Sequence, residues 1–245
     1  MDQNLSGKRV LVTGGTKGIG RATVLAFARA GAEVVTCHRT ADEATESLVR
    51  ELKEIGGRHL VTRADVTSGT DVAELAERTR AQLGGLDVLV NNVGVDGPVP
   101  FGELSESEWR RVLDHNTTAA YLVTQAALGL LVDGASVISV GSSVALRGRA
   151  NGVHYAASKA ALIGFTRGLC KELGPRGIRV NVVAPGLTET EPGAGLPAAA
   201  VERIVGMTAL GRICQPADVA GAVLFLAGDT SRYISGATLN VDGGV

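Results

Sequence analysis

Strand-like and helix-like segments alternate along this chain from end to end, and that alternation restricts the fold more than any other feature. Short apolar, β-branched runs at 8–13, 33–37, 59–64, 86–91, 136–140, 179–184 and 237–241 read as strands buried on both faces. Longer amphipathic stretches at 18–30, 42–55, 71–83, 106–131, 153–173, 196–207 and 216–226 read as helices. Gly31, Gly56 and Gly84 stand where three of those helices should stop. Such an order builds a parallel sheet with helices on both faces, since each crossover between parallel strands needs a helix. No repeat, low-complexity tract or Pro/Gly/Ser linker interrupts it, so residues 1–245 read as one domain.

Composition removes several classes of function. Hydrophobic residues are 45% and charged residues 20%, enough for a sizeable core and too apolar for a disordered chain. The 24 basic and 25 acidic residues leave a formal charge of −1, which argues against nucleic acid or a membrane surface as partner. Cys37, Cys170 and Cys214 have neither CxxC nor metal-ligand spacing, so no metal is expected and a reducing cytoplasm is. The first residues carry no basic-then-apolar leader. Among the basic residues only Lys8, Lys17, Lys53, Lys159 and Lys171 are lysines; with abundant Ala, Gly and Val this points to a GC-rich genome. The 33 glycines against 3% aromatics point to close backbone approaches and not to a core of stacked rings.

The densest glycine cluster follows the first strand. Thr13-Gly14-Gly15-Thr16-Lys17-Gly18-Ile19-Gly20 spaces its glycines as G-x3-G-x-G, just before the first helix. Without Cβ atoms the backbone can approach a pyrophosphate, and the helix N-terminus offers amide donors and a positive dipole end. The second strand runs into Cys37-His38-Arg39-Thr40, where an enzyme using NAD would carry a ribose-binding acid. Arg39 and Lys17 are instead available to a 2′-phosphate, so NADP(H) is expected over NAD(H). Asp65 is placed to receive the adenine amine, and Asn91-Asn92-Val93-Gly94 to line the floor.

Tyr155 and Lys159 lie four apart on a predicted helix, on one face. A phenol with a reference pKa of about 10 needs a nearby cation to work near neutral pH. Ser142, at the end of the fifth strand, can hold a carbonyl oxygen; Ser143 beside it is the less well spaced choice. Asn116 sits on an apolar helix face, where an amide either caps a kink or holds water. The polar, Gly- and Pro-rich stretch 187–197 is either an inert loop or a flap, and its place after a strand end favours the flap.

These residues together resemble the short-chain dehydrogenase/reductase family over essentially the whole chain: Thr13-Gly14-x3-Gly18-x-Gly20, Asp65, Asn91-Asn92-x-Gly94, Asn116, Ser142, Tyr155-x3-Lys159, Asn181, Pro185-Gly186 and Asp242-Gly243-Gly244. The resemblance implies a Rossmann-like α/β fold, a three-layer αβα sandwich on a seven-stranded parallel sheet, and a homotetramer or dimer. It implies Tyr155 as general acid/base, Ser142 as carbonyl orienter, Lys159 as ribose clamp and pKa-lowering charge, and Asn116 as holder of a relay water. Hydride would come from nicotinamide C4, with Pro185, Gly186 and Thr188 flanking the carboxamide. The implied cofactor contacts also take in Thr16, Lys17, Ile19, His38, Arg39, Val66, Asn92 and Gly94; the implied substrate contacts are Ser142, Val144, Arg149, Tyr155, Leu187 and Glu191.

Val93 departs from the family's usual Ala, and 187–193 departs from its Thr-x-Met pattern. Residues 91–98 and 189–195 resemble ketoreductases that tailor aromatic, angucycline-type polyketides in antibiotic biosynthesis, which makes a polycyclic ring ketone the expected substrate. The alternative is a 3-oxoacyl thioester on an acyl carrier protein, for which Arg147 and Arg149 would supply basic groups unless they are solvated rim charges. A non-catalytic NADP sensor is more remote, because such proteins typically lose the Tyr or the Lys. A sugar-nucleotide epimerase needs a longer chain.

Overall fold

The computed structural model describes residues 3–190 and 198–245. Its seven strands are β1 (Arg9–Thr13), β2 (Glu33–His38), β3 (Leu60–Arg63), β4 (Leu86–Asn91), β5 (Leu131–Val140), β6 (Arg179–Pro185) and β7 (Thr238–Val241). They form one parallel sheet in the order β3-β2-β1-β4-β5-β6-β7. The chain runs outward from β1 to β3, then crosses back to place β4 beside β1. That reversal opens a crevice at the carboxyl ends of β1 and β4, where ligands of open α/β sheets bind.

The helices are α1 (Gly18–Arg29), α2 (Glu43–Ile55), α3 (Gly69–Leu83), α4 (Glu106–Leu113), α5 (Ala119–Ala127), α6 (Val144–Arg147), α7 (Val153–Leu173), α8 (Ala198–Met207) and α9 (Pro216–Ala227). Alternate strand residues feed two apolar layers. Leu11, Val35, Leu89 and Val137 pack with α3 and α5 on one face; Val10, Val12, Val34 and Val88 pack with α1, α2 and α9 on the other. The starts of α2, α3 and α4 are fixed by Asp42, Ser68 and Ser105, whose side chains accept from the amides of Thr45, Asp71 and Glu108. Gly84, at φ +75°, ends α3.

The expected sheet is present, and α7 has the predicted bounds. The single helix expected at 106–131 is divided. A π-helical turn, Asp114–Thr118, separates α4 from α5, and the helix stops at Ala127 before Gly129. Leu131 belongs to β5, where it pairs with Leu86 ahead of a register shift, so the fifth strand starts earlier than its apolar run at 136. Helix α6 was not anticipated. The start of the helix expected at 196 lies outside the described residues. Among those residues no helix is long and apolar enough to cross a membrane.

Candidate active site

The glycine turn after β1 is closed against the exit of β4. Asn92 Nδ2 donates to the carbonyls of Thr13 (2.9 Å) and Gly14 (3.1 Å), and the Asn92 amide donates to Thr13 Oγ1 (3.0 Å). Gly14 has φ +67°, and a Cβ there would meet Val93 Cγ2 at 2.9 Å. Gly20 backs onto the Gly14 carbonyl and Asn92 Nδ2, and Gly18 sits at the start of α1. Lys17 is the N-cap of α1, yet its side chain makes no cap hydrogen bond and the first turn holds no acid. The first amides of α1 are thus left to an anion. Thr16 is buried with its carbonyl accepting from Arg21 (3.3 Å), and Ile19 packs on the core.

Of the two basic residues expected near the 2′-phosphate, Lys17 is paired and Arg39 is exposed. Arg39 is exposed beyond the end of β2. Lys17 Nζ lies 2.7 Å from Asp42, and that contact leads in holding the Asp42 carboxyl below its ordinary value. His38 Nδ1 is buried with no hydrogen-bond partner among the described residues. Asp65 Oδ1 accepts from Thr67 Oγ1 (2.7 Å) and the Thr67 amide (2.9 Å), which keep the carboxyl low against its burial, with Arg39 helping. Val66 is buried beside it.

Helix α7 carries Tyr155 and Lys159 into the other end of the crevice. Lys159 is 4% exposed, and its Nζ donates to the Val140 carbonyl at 2.8 Å. Burial pulls its pKa from the ordinary 10.5 to about 8. The Ser142 hydroxyl faces the Tyr155 phenol and favours its phenolate. It also accepts the Val144 amide at 3.2 Å. Lys159 Nζ stands 5.9 Å from the Tyr155 ring centroid. The expected lowering of the phenol by Lys159 is not what prevails: burial raises Tyr155 above its ordinary value, against the lowering influence of Ser142. Desolvation of a half-buried phenol outweighs its neighbours, and the group stays protonated at neutral pH.

Asn116 lies in the π turn and is 1% exposed. Its Nδ2 donates to Val95 O and Ser158 Oγ, both at 2.9 Å, and its Oδ1 accepts the Val95 amide at 2.7 Å. The side chain pins the kink to the β4 exit loop, with both Nδ2 hydrogens used and one lone pair of Oδ1 remaining. Gly94 is held between these groups: a Cβ there would meet Lys159 Nζ at 2.9 Å and Asn116 Oδ1 at 3.1 Å.

The substrate-side residues are less uniform. Val144 is buried at the start of α6. Arg149 is not free: its guanidinium forms a two-pronged pair with Asp96, 2.8 Å on each prong, and lies 5.3 Å from the Tyr155 ring centroid. Pro185 ends β6 and Gly186 follows it, its amide donating to the Val241 carbonyl. Leu187 and Glu189 ladder onto Cys214, and Thr188 Oγ1 donates to Gly186 O (3.2 Å). Glu191 and most of the expected flap lie outside the described residues. Asp96 and Ser158 were not singled out from sequence. Ser158 had a legible signal, three residues from Tyr155 and hence on its helix face; Asp96 had none.

The family model described as enoyl-(acyl carrier protein) reductase matches residues 14–245. The chain is 37% identical over 243 residues to the 3-oxoacyl-[acyl-carrier-protein] reductase FabG of Thermotoga maritima, covering 98% of each. It is 38% identical over 247 residues to the cis-4-hydroxycyclohexanecarboxylate dehydrogenase of Sinomonas cyclohexanicum, covering 100% of this chain and 98% of the relative. A blue fluorescent protein from a metagenomic library, solved in complex with NADPH, superposes with a TM-score of 0.92 at 41% identity over 98% of both chains. With the sheet order, the glycine turn and the Ser142–Tyr155–Lys159 cluster, these matches place the chain in the short-chain dehydrogenase/reductase family of oxidoreductases.

Proposed function

We propose that residues 1–245 act as one catalytic domain, an NADPH-dependent ketoreductase that turns a ketone into a secondary alcohol. The observation that carries this reading is the Tyr155 phenol, kept protonated by burial, facing Ser142 and beside the buried ammonium of Lys159. The cofactor cradle fits NADP: the α1 amides are uncapped, Asp65 keeps one carboxylate oxygen without a partner among the described residues, and Arg39 is exposed where a 2′-phosphate would lie. The pyrophosphate would be held by Gly14, Thr16, Lys17, Gly18, Ile19 and Gly20, the adenosine by His38, Arg39, Asp65 and Val66, and the nicotinamide end by Asn92, Gly94, Pro185, Gly186 and Thr188. Bound NADPH supplies the hydride for the carbonyl carbon.

The chain's own residues manage the oxygen. Ser142 donates a hydrogen bond that polarises the carbonyl, and Tyr155 gives up its proton as negative charge develops there. Lys159 stabilises the phenolate left behind and holds the ribose hydroxyls. Asn116 fixes the turn through which a water reprotonates the site.

For substrate, we infer the ring ketone of a polycyclic aromatic polyketide. Arg149, the basic rim residue closest to the phenol, is committed to Asp96, so that position offers an acyl-carrier phosphate no unpaired charge. Reduction of a 3-oxoacyl thioester is the second reading, favoured by the likeness to the Thermotoga reductase. NADPH oxidation on an acetoacetyl thioester and on a polycyclic quinone ketone separates them: the ring ketone is expected to turn over with the higher kcat/KM, and faster thioester reduction would overturn the substrate assignment. We also infer a homotetramer in the cytoplasm, which light scattering on the purified chain tests.

A further inference from the structure

Residues 94–99 form a band across the mouth of the site. At one end Val95 is held by both functions of the Asn116 amide. At the other, Asp96 grips Arg149, and the Val99 amide donates to Asn151 O at 2.8 Å. The grip is itself braced. The Gly97 amide donates to Asp96 Oδ1 (2.8 Å), and Arg111 reaches the Asp96 carbonyl (3.3 Å) while paired with Glu108. The Arg149 guanidinium also lies against Gly152, where a Cβ would stand 2.8 Å from its Nε.

We propose that Asp96 and Arg149 are positioning residues for Tyr155: an ion-paired strap that fixes the rim over the phenol and holds two opposite charges near it. This rests on the ketoreductase reading for its consequence, but the geometry stands without it. Two-pronged arginine–carboxylate pairs fix orientation as well as distance, and the guanidinium plane held over the ring is a favourable cation–π placement. The charged groups near the phenol are Lys159 from α7, Arg149 from the loop before it, and Asp96 from the β4 exit; His154, next to Tyr155 on α7, is the adjoining titratable group. Glu108 of α4 is 3.9 Å from His154 and neutralised by Arg111, and Arg147 of α6 reaches Ser143. Of these, Asp96 pushes the phenol toward keeping its proton and Arg149 toward releasing it. Each member of the strap thus cancels part of the other.

The test uses the scarcity of tyrosines. The chain has three, Tyr121, Tyr155 and Tyr233, so the ultraviolet phenolate titration of Tyr155 can be isolated by subtracting the curve of Tyr155→Phe. Asp96→Asn, Arg149→Met and the double variant are titrated in this way, and their NADPH affinity and ketone kcat are measured. The Tyr155 midpoint is expected to fall in Asp96→Asn, rise in Arg149→Met, and return near wild type in the double variant. NADPH affinity should stay within about twofold, while kcat drops roughly tenfold in each single variant as the phenol loses its alignment. If Arg149→Met does not fold, Arg149→Lys replaces it: it keeps the charge, so the midpoint should hold while kcat falls. Midpoints that do not move in the charge-removing variants, or that move the same way in both, would overturn the strap, as would a midpoint that moves in Arg149→Lys. A wild-type protein that reduces no ketone would instead overturn the ketoreductase reading, leaving the titration to judge the strap on its own.

Discussion

Lys159 is 4% exposed and carries the site's largest burden of desolvation, so replacing it should make the protein more stable as it destroys activity. A fall in pKa from 10.5 to about 8 means that holding the ammonium in the folded chain costs about 3 kcal/mol at neutral pH. Lys159→Met keeps the length of the side chain and removes the charge; losing the bond to the Val140 carbonyl returns about 1 kcal/mol of that gain. The variant should therefore be more stable by about 2 kcal/mol at pH 7, or roughly 4–8 °C in Tm for a chain of this size. The sign with pH is fixed. Between about 8 and 10.5 the unfolded chain binds the proton that the folded chain has released, so wild-type stability rises relative to the variant. By pH 9.5 the cost should shrink to about 1 kcal/mol and the variant's advantage should vanish. Urea unfolding at pH 7 and 9.5, at one protein concentration, reads both quantities. A variant less stable at pH 7, or an advantage that does not change with pH, would refute the claim that Lys159 is kept charged at the expense of the fold.

Other perturbations test separate parts of the account. Arg39→Glu should weaken NADPH binding about tenfold to a hundredfold by removing a charged hydrogen bond, with NADH binding unchanged or improved; equal losses for both nucleotides would count against the 2′-phosphate assignment. Gly94→Ala puts a methyl group 2.9 Å from Lys159 Nζ, and kcat should fall roughly tenfold with Tm almost unchanged. Asp218 is held at about 2, first by its hydrogen bond to Arg212, so its stabilising contribution is present above the ordinary 3.8 and lost as pH falls toward 2. The gap between the urea midpoints of wild type and Asp218→Asn should therefore narrow between pH 6 and pH 3; a constant gap would contradict the ion pair's role.

Much of the fold was legible because its strands are buried on both faces, so valine-rich runs mark them without an alternating pattern. Helix α7 could be placed end to end because its start and stop are local features. The segment 106–131 could not, because apolar periodicity passes unbroken through the π turn at Asn116, and Leu130-Leu131 continue it into β5. Helix α6, four residues long, barely exceeds one turn and is far shorter than the stretch of roughly 11–18 residues over which helical periodicity is read. In the site, residues next to glycine or strand-end signals were found. What escaped were long-range pairings: Asp96 with Arg149, 53 residues apart, and Asn116 with Ser158, 42 apart. The balance at Tyr155 escaped for a related reason, since sequence shows its cation neighbour but not how deeply the ring is buried.

The central claim, that Tyr155 delivers the proton in ketone reduction, is tested most directly by Tyr155→Phe. Single-turnover NADPH oxidation on a ring ketone should fall by at least about a hundredfold, while NADPH binding followed by fluorescence stays as in wild type. Turnover that survives with the phenol removed would contradict the account.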